Sequence, residues 1–314
     1  MKKEEFVLGI DIGGTNFRLG LVDKKGNVTK YKIESSSVLI DPQGSSLEAL
    51  VRYIRNYLAQ NTAELPRGIA IGFPSTISKD KTKIHSIPNL SLSGFENVNL
   101  PEYIEKQLQV PVFLNKDVNL LLLCDLKEKK TVKKNIVLGM YIGTGFGNSL
   151  YVGGRFLDGK NGVAGELGHI PTLNNKDLCG CNNVGCAETY ASGTALKKLQ
   201  EKFFPDTFIG DIFTKHGEDE RVLHYIDGLS IPMATEINIL DPDLVIIGGG
   251  IPAMKDFPRK LLEKYILMHT RKPYPADTLE LIYSAGSQEA GVIGAGLYAF
   301  QMLQKRKRPV SNTF

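Results

Sequence analysis

Apolar residues in this chain come in short runs closed by glycine-rich turns, and between the runs they recur at helical spacing. Phe6–Ile12, Phe17–Asp23 and Val28–Glu34 read as three successive strands, with Gly13-Gly14 and Lys25-Gly26-Asn27 as the turns. Leu47, Leu50, Val51, Ile54 and Leu58 then fall on one face of a helix. A strand at Gly68–Pro74 follows, and another at Val112–Asn115 runs into an apolar helix that begins near Asp117. The second half opens with a strand at Ile136–Ile142, and a loop-rich stretch of about 153–188 carries many of the remaining glycines. Helical segments follow at about 189–204 and 220–240. Leu244–Ile247 is a wholly apolar strand entering Gly248-Gly249-Gly250, and a last helix covers about 289–306. Alternating strands and helices predict α/β domains, and a length of 314 residues predicts about two of them.

A weak repeat supports two domains. Residues 7–15 read VLGIDIGGT and residues 137–145 read VLGMYIGTG, identical at five of nine positions. Each is an apolar strand entering a Gly/Thr turn with a second strand beyond it. Two such hairpins in one chain point to two related domains facing one another.

Composition narrows the partners. Lys plus Arg is 38 and Asp plus Glu is 34, a net charge of +4, and Lys305, Arg306, Lys307 and Arg308 supply four positive charges. The rest is neutral, so neither the balance nor the pI of 8.7 marks a nucleic-acid partner. No apolar run approaches the ~18 residues that span a bilayer. Lys2 and Lys3 are followed at once by Glu4 and Glu5, and the run Phe6–Ile10 stops at Asp11, unlike a signal peptide. A cytoplasmic chain with no membrane partner is expected, with reduced thiols. Three of the four cysteines fall at 179, 181 and 186, which suggests a metal rather than disulfides. The fourth, Cys124, reads as a buried small hydrophobe.

The turns and acids carry the candidate chemistry. Gly13-Gly14-Thr15 lacks side chains where backbone N–H groups must approach an anion, and Thr15 adds a hydroxyl. Gly143-Thr144-Gly145 and Gly147 repeat that chemistry. Together the two hairpins could grip a triphosphate, with Asp11 holding Mg²⁺; as plain hairpin turns they need no ligand. They are not a P-loop, which requires a Lys-Ser/Thr absent here. Gly248-Gly249-Gly250 fits a surface for a base or a simple strand-to-helix turn. His169, Cys179, Cys181 and Cys186 form a one-His, three-Cys set, and a closed set of this type selects a structural Zn²⁺. That zinc would fix Glu166, His169 and Glu188 in one rigid loop, two carboxylates and one N–H suited to sugar hydroxyls. Asp117 fits a helix N-cap and a general base at a strand end, and the two uses are compatible.

In combination these residues resemble the ROK family of bacterial sugar kinases, within the actin-like and hexokinase-like superfamily. GIDIGGTN at 9–16, which includes Asn16, is similar to its first phosphate motif, GTGFG at 143–147 to its second, and IIGGG at 246–250, with Gly249 and Gly250, to its adenosine motif. GELGHIP at 165–171 followed by CGCNNVGCAE at 179–188 resembles its zinc signature in residue type and spacing. The resemblance implies two ribonuclease-H-like (actin/hexokinase-type) α/β domains flanking a central cleft. The expected division is a smaller N-terminal domain, 1–118 with a C-terminal helix of about 290–314, and a larger one at 119–289 carrying the zinc loop.

The resemblance also implies ATP, Mg²⁺ and a hexose as ligands, phosphorylation of the sugar's 6-hydroxyl, and a homodimer or homotetramer. In Asn115-Lys116-Asp117-Val118-Asn119, Asp117 takes the family's catalytic position, while Lys116 replaces an Asn that usually contacts the sugar. GFPSTISKDKTKI at 72–84, PNL at 88–90 with Asn89 as a sugar contact, and Lys116 look most like D-allose kinases. N-acetylmannosamine kinases and glucokinases are the alternatives. ROK repressors are a different class, and they carry an added N-terminal DNA-binding domain. With the first strand starting near residue 6, no helix-turn-helix is expected here.

Overall fold

The computed structural model describes residues 5–41, 44–86, 92–95, 98–131 and 134–307. In chain order the first elements are β1 (Phe6–Ile12), β2 (Asn16–Asp23), β3 (Val28–Ser35), α1 (Ser46–Asn61), β4 (Ile69–Phe73), β5 (Thr76–Ile77), β6 (Ile84–Ser86), α2 (Leu100–Leu108), β7 (Val112–Lys116) and α3 (Asp117–Glu128). There follow β8 (Ile136–Ile142), β9 (Phe146–Val152), β10 (Arg155–Phe156), α4 (Gly193–Phe203), α5 (Ile212–His216), α6 (Glu220–Leu240), β11 (Leu244–Gly248), α7 (Arg259–His269), β12 (Leu281–Tyr283) and α8 (Ala290–Lys307).

The chain forms two compact units. One holds the residues through Lys129, the segment Asp158–Val163 and the chain from Ser287; the other holds Lys130–Leu157 and Ala164–Gly286. The expected boundary at 118 therefore lies at 129, and the N-terminal unit is not the smaller one. The reason is packing of α3 on α8. A Cβ on Gly294 of α8 would collide with the Leu120 carbonyl oxygen, so the two helix backbones meet with nothing between them.

In the first unit the sheet order is β3-β2-β1-β4-β7, and in the second it is β10-β9-β8-β11-β12. Each opens on an antiparallel hairpin whose first strand also pairs in parallel with the next strand inward, β1 with β4 and β8 with β11. The repeated segments thus lie on β1 and β8, at matching places in the two sheets. β4 (IAIGF) and β11 (LVIIG) are buried along their whole length, as expected of parallel strands covered on both faces. Separate apolar cores fill the two units. One includes Ile10, Phe17, Ile54, Ile71 and Phe95; the other includes Met140, Ile142, Leu229, Met233 and Ile247. Among the described residues no helix is long and apolar enough to cross a membrane.

Candidate functional site

The first glycine turn joins β1 to β2. Gly13 N–H donates to Asn16 O at 2.8 Å, closing the turn, and Ser36 Oγ holds the Gly13 carbonyl at 2.7 Å. Gly14 and Thr15 are exposed, and nothing lies within 4 Å of the place a Gly14 side chain would take. Asp11 and Arg18 face each other in the hairpin register, and Arg18 Nη1 donates to Asp11 Oδ2 at 3.2 Å. Burial raises the Asp11 carboxyl above its usual range, and the guanidinium opposes that rise. The start of α8 presses on the same carboxylate: a Cβ on Gly291 would stand 2.5 Å from Asp11 Cγ. Arg18 and Gly291 were missed from the sequence, although strand alternation alone would have set Arg18 opposite Asp11.

Asp11 pairs in register with Gly72, and Gly72 with Asn115. Asp117 follows Asn115 by two residues, so it lies just past the end of the same parallel edge. Gly72 permits the approach, with its Cβ position 3.4 Å from Asp117 Cα. Asn115 is buried, and its Oδ1 accepts Lys116 N–H and Asn119 Nδ2, both at 2.9 Å. Lys116 is 5% exposed and takes the N-cap position without a capping side-chain bond. The N-cap reading of Asp117 is therefore corrected. Asp117 is the first helical residue, and its Oδ1 accepts Val118 N–H at 2.8 Å. Asn89 lies outside the described residues.

In the second unit, Gly143 N–H donates to Gly145 O at 3.0 Å. Gly249 has φ +97°, and a side chain on it would meet the Ile142 backbone, so the Gly248-Gly249-Gly250 segment lies against the strand end that enters this turn. Glu188 Oε2 accepts Phe146 N–H at 2.8 Å. That bond and the buried pair Asn148–Glu236 on β9 and α6 were not predicted from the sequence.

His169, Cys179, Cys181 and Cys186 bring their ligand atoms within 4.8 Å of one another. Cys179 Sγ lies 3.6 Å from His169 Nδ1, and Cys181 Sγ lies 3.6 Å from Cys186 Sγ. Tetrahedral ligation with Zn–S near 2.3 Å puts sulfurs about 3.8 Å apart, so the set fits zinc. Gly185 (φ +85°) and Asn182 (φ +70°) supply the left-handed backbone that closes the loop. Burial pushes the Cys186 thiol up to about 12, and the neighbouring thiols add to it. With Nδ1 facing Cys179, His169 Nε2 lies 3.8 Å from Glu166 Oε2. Cys124 is buried, as expected.

Two α/β units of matching strand order, each opening on a glycine-turn hairpin and one carrying a His-Cys₃ loop, form a fold shared with kinases of known structure. A solved ROK family glucokinase from Streptomyces griseus, in complex with glucose and AMPPNP, superposes with a TM-score of 0.76 at 22% identity, over 94% of this chain and 99% of the other. The match to the ROK family runs over residues 7–302, and the chain belongs to the ROK family. A glucokinase from Thermotoga maritima is 25% identical, covering 92% of this chain and 95% of its own length. An N-acetyl-D-glucosamine kinase from Pectobacterium carotovorum is 27% identical, covering 92% and 97%.

Proposed function

We propose that this protein is an ATP-dependent hexose kinase that phosphorylates the sugar 6-hydroxyl, with Asp117 as general base. The observation that carries this reading is one strand edge with a half-buried carboxylate, Asp11, beside the open Gly13–Thr15 turn, and a second carboxylate, Asp117, in the first turn of α3. Asp117 takes the proton of the 6-hydroxyl. The freed oxygen attacks the γ-phosphorus in line, the bond to the β–γ bridging oxygen breaks, and ADP leaves. Backbone N–H groups of Gly13-Gly14-Thr15-Asn16 and Gly143–Gly147, with the Thr15 and Thr144 hydroxyls, bind the phosphates. Gly249 and Gly250 accommodate the adenosine. Asp11 would hold Mg²⁺, beside Arg18, and the ion would supply charge neutralisation on the phosphoryl oxygens. Glu166, His169 through Nε2–H, and Glu188 bind ring hydroxyls; His169, Cys179, Cys181 and Cys186 would hold a zinc that would keep that loop in place. Asn89 belongs to the sugar contacts by motif.

Two lines of support diverge on which sugar. Lys116 and residues 72–84 favour D-allose. The relatives, at 25% and 27% identity, are named for glucose and N-acetyl-D-glucosamine. ADP release with ATP and Mg²⁺ over allose, glucose, mannose, fructose, N-acetylglucosamine and N-acetylmannosamine decides between them, and failure of every sugar refutes the kinase reading. Loss of a general base costs ~10²–10⁴-fold. Asp117→Asn should therefore lose at least ~100-fold in kcat while calorimetry still detects sugar binding. Turnover near that of the parent would remove Asp117 from this role.

A further inference from the structure

Two anchors hold the zinc loop against the second glycine turn, and both fall on Phe146. Gly168 precedes the ligand His169, and a Cβ on it would stand 2.8 Å from the Phe146 carbonyl oxygen. Glu188 lies two residues past the ligand Cys186 and accepts Phe146 N–H on Oε2 at 2.8 Å. The same oxygen occupies the space a side chain on Gly145 would need. The other side of the turn is fixed by the start of α4. Gly193 N–H reaches Gly143 O at 2.8 Å, and Thr194 reaches Thr144 O through its N–H at 3.0 Å and its hydroxyl at 2.9 Å. The turn is thus held at its carbonyls by a helix and at the following N–H by a carboxylate, and the carboxylate's position is set by the ligand frame. A carboxylate beside a phosphate-binding turn is electrostatically unfavourable for the anion. Its hydrogen bond to Phe146 N–H gives it a compensating use: it fixes the turn's exit.

We propose that Glu188 is a positioning residue for the nucleotide, carrying the order of the zinc loop into the Gly143–Gly145 turn, so that losing either the carboxylate or the zinc weakens nucleotide binding with no sugar present. This rests on the kinase reading above. A residue that served sugar alone would leave nucleotide affinity untouched.

The test is calorimetric titration with AMPPNP and Mg²⁺ in the absence of sugar, with zinc content measured on each sample. Glu188→Ala should keep its zinc and bind nucleotide about tenfold more weakly. Glu188→Gln, whose amide oxygen still accepts Phe146 N–H, should stay within about threefold. Stripping zinc by chelation and dialysis, before Mg²⁺ is added, should weaken the parent by about tenfold and Glu188→Ala little further. Amide exchange at Phe146 gives a reading that needs no variant: protected with zinc, fast without it. Parent-like nucleotide affinity in Glu188→Ala, additive effects of stripping and substitution, or unchanged Phe146 exchange overturns the coupling and leaves the kinase reading standing. A parent chain that binds no nucleotide under any condition overturns both.

Discussion

Glu236 offers a sharp test of how the second unit is packed. It lies on α6 at 8% exposure, and its Oε1 accepts Asn148 Nδ2 from β9 at 2.5 Å. Its Oε2 and Asn148 Oδ1 are both buried with no hydrogen-bond partner. Both orphans are acceptors, and a proton on the carboxyl supplies the donor they lack. Burial pushes this carboxyl from its usual 4.5 up to about 7, against the opposing pull of the Asn148 hydrogen bond. Between those two values the native state keeps a proton that the unfolded chain has released. Stability from this group is therefore complete below pH 4.5, falls as the pH climbs to about 7, and is level above that. The gap corresponds to about 3 kcal/mol. Glu236→Gln carries a permanent donor and should abolish this slope. Urea denaturation from about pH 5 to about pH 8 checks it: the variant's advantage should be small at the acid end and approach about 3 kcal/mol at the alkaline end. A parent more stable than the variant at pH 8, or a difference that does not change with pH, would refute the account of the buried pair.

The other predictions concern packing and metal. Gly294→Ala gains about 1 kcal/mol of helix propensity, but its Cβ meets the Leu120 carbonyl oxygen, which is backbone and cannot step aside. Overpacking of about 1–3 kcal/mol should win, and urea midpoints no lower than the parent's would show that α3 and α8 can separate cheaply. Cys181→Ser should reduce bound zinc from about one per chain and raise the hexose KM by at least about tenfold, read by elemental analysis and initial rates. Unchanged KM in a zinc-free variant would make the loop irrelevant to the sugar.

What the sequence made legible is what local patterns encode. β1 and β8 occupy the ranges predicted from their apolar runs, and α6 covers Glu220–Leu240 as its spacing predicts. The repeat VLGIDIGGT and VLGMYIGTG predicted two related domains, because a strand entering a glycine turn is a contiguous signal, and the two sheets have like strand order. The ligand cluster was legible for the same reason: three of its four members fall within eight residues. β5 and β6 escaped because they are two and three residues long, and helices α2 and α7 because they bury only Leu100, Ile104 and Leu108 in the one and Leu262 and Ile266 in the other.

The boundary at 129, the Glu188–Phe146 bond and the Glu236–Asn148 pair share a different cause. Each depends on elements 40 or more residues apart meeting at one atom, and no periodicity records that. Glycines trace some of these meetings. Gly145, Gly168, Gly291 and Gly294 each lie where another side chain or backbone fills the volume of a Cβ, and three of the four mark a residue of the proposed chemistry or its neighbour. A glycine inside a helix, as Gly291 and Gly294 are, thus reports that something else occupies its side-chain space. In α8, Gly291 and Gly294 face Asp11 and Leu120, so the helix that closes the first unit also sets how deeply the Asp11 carboxylate is buried. The binding chemistry of the first turn and the packing of the C-terminal helix are for that reason a single constraint on the sequence.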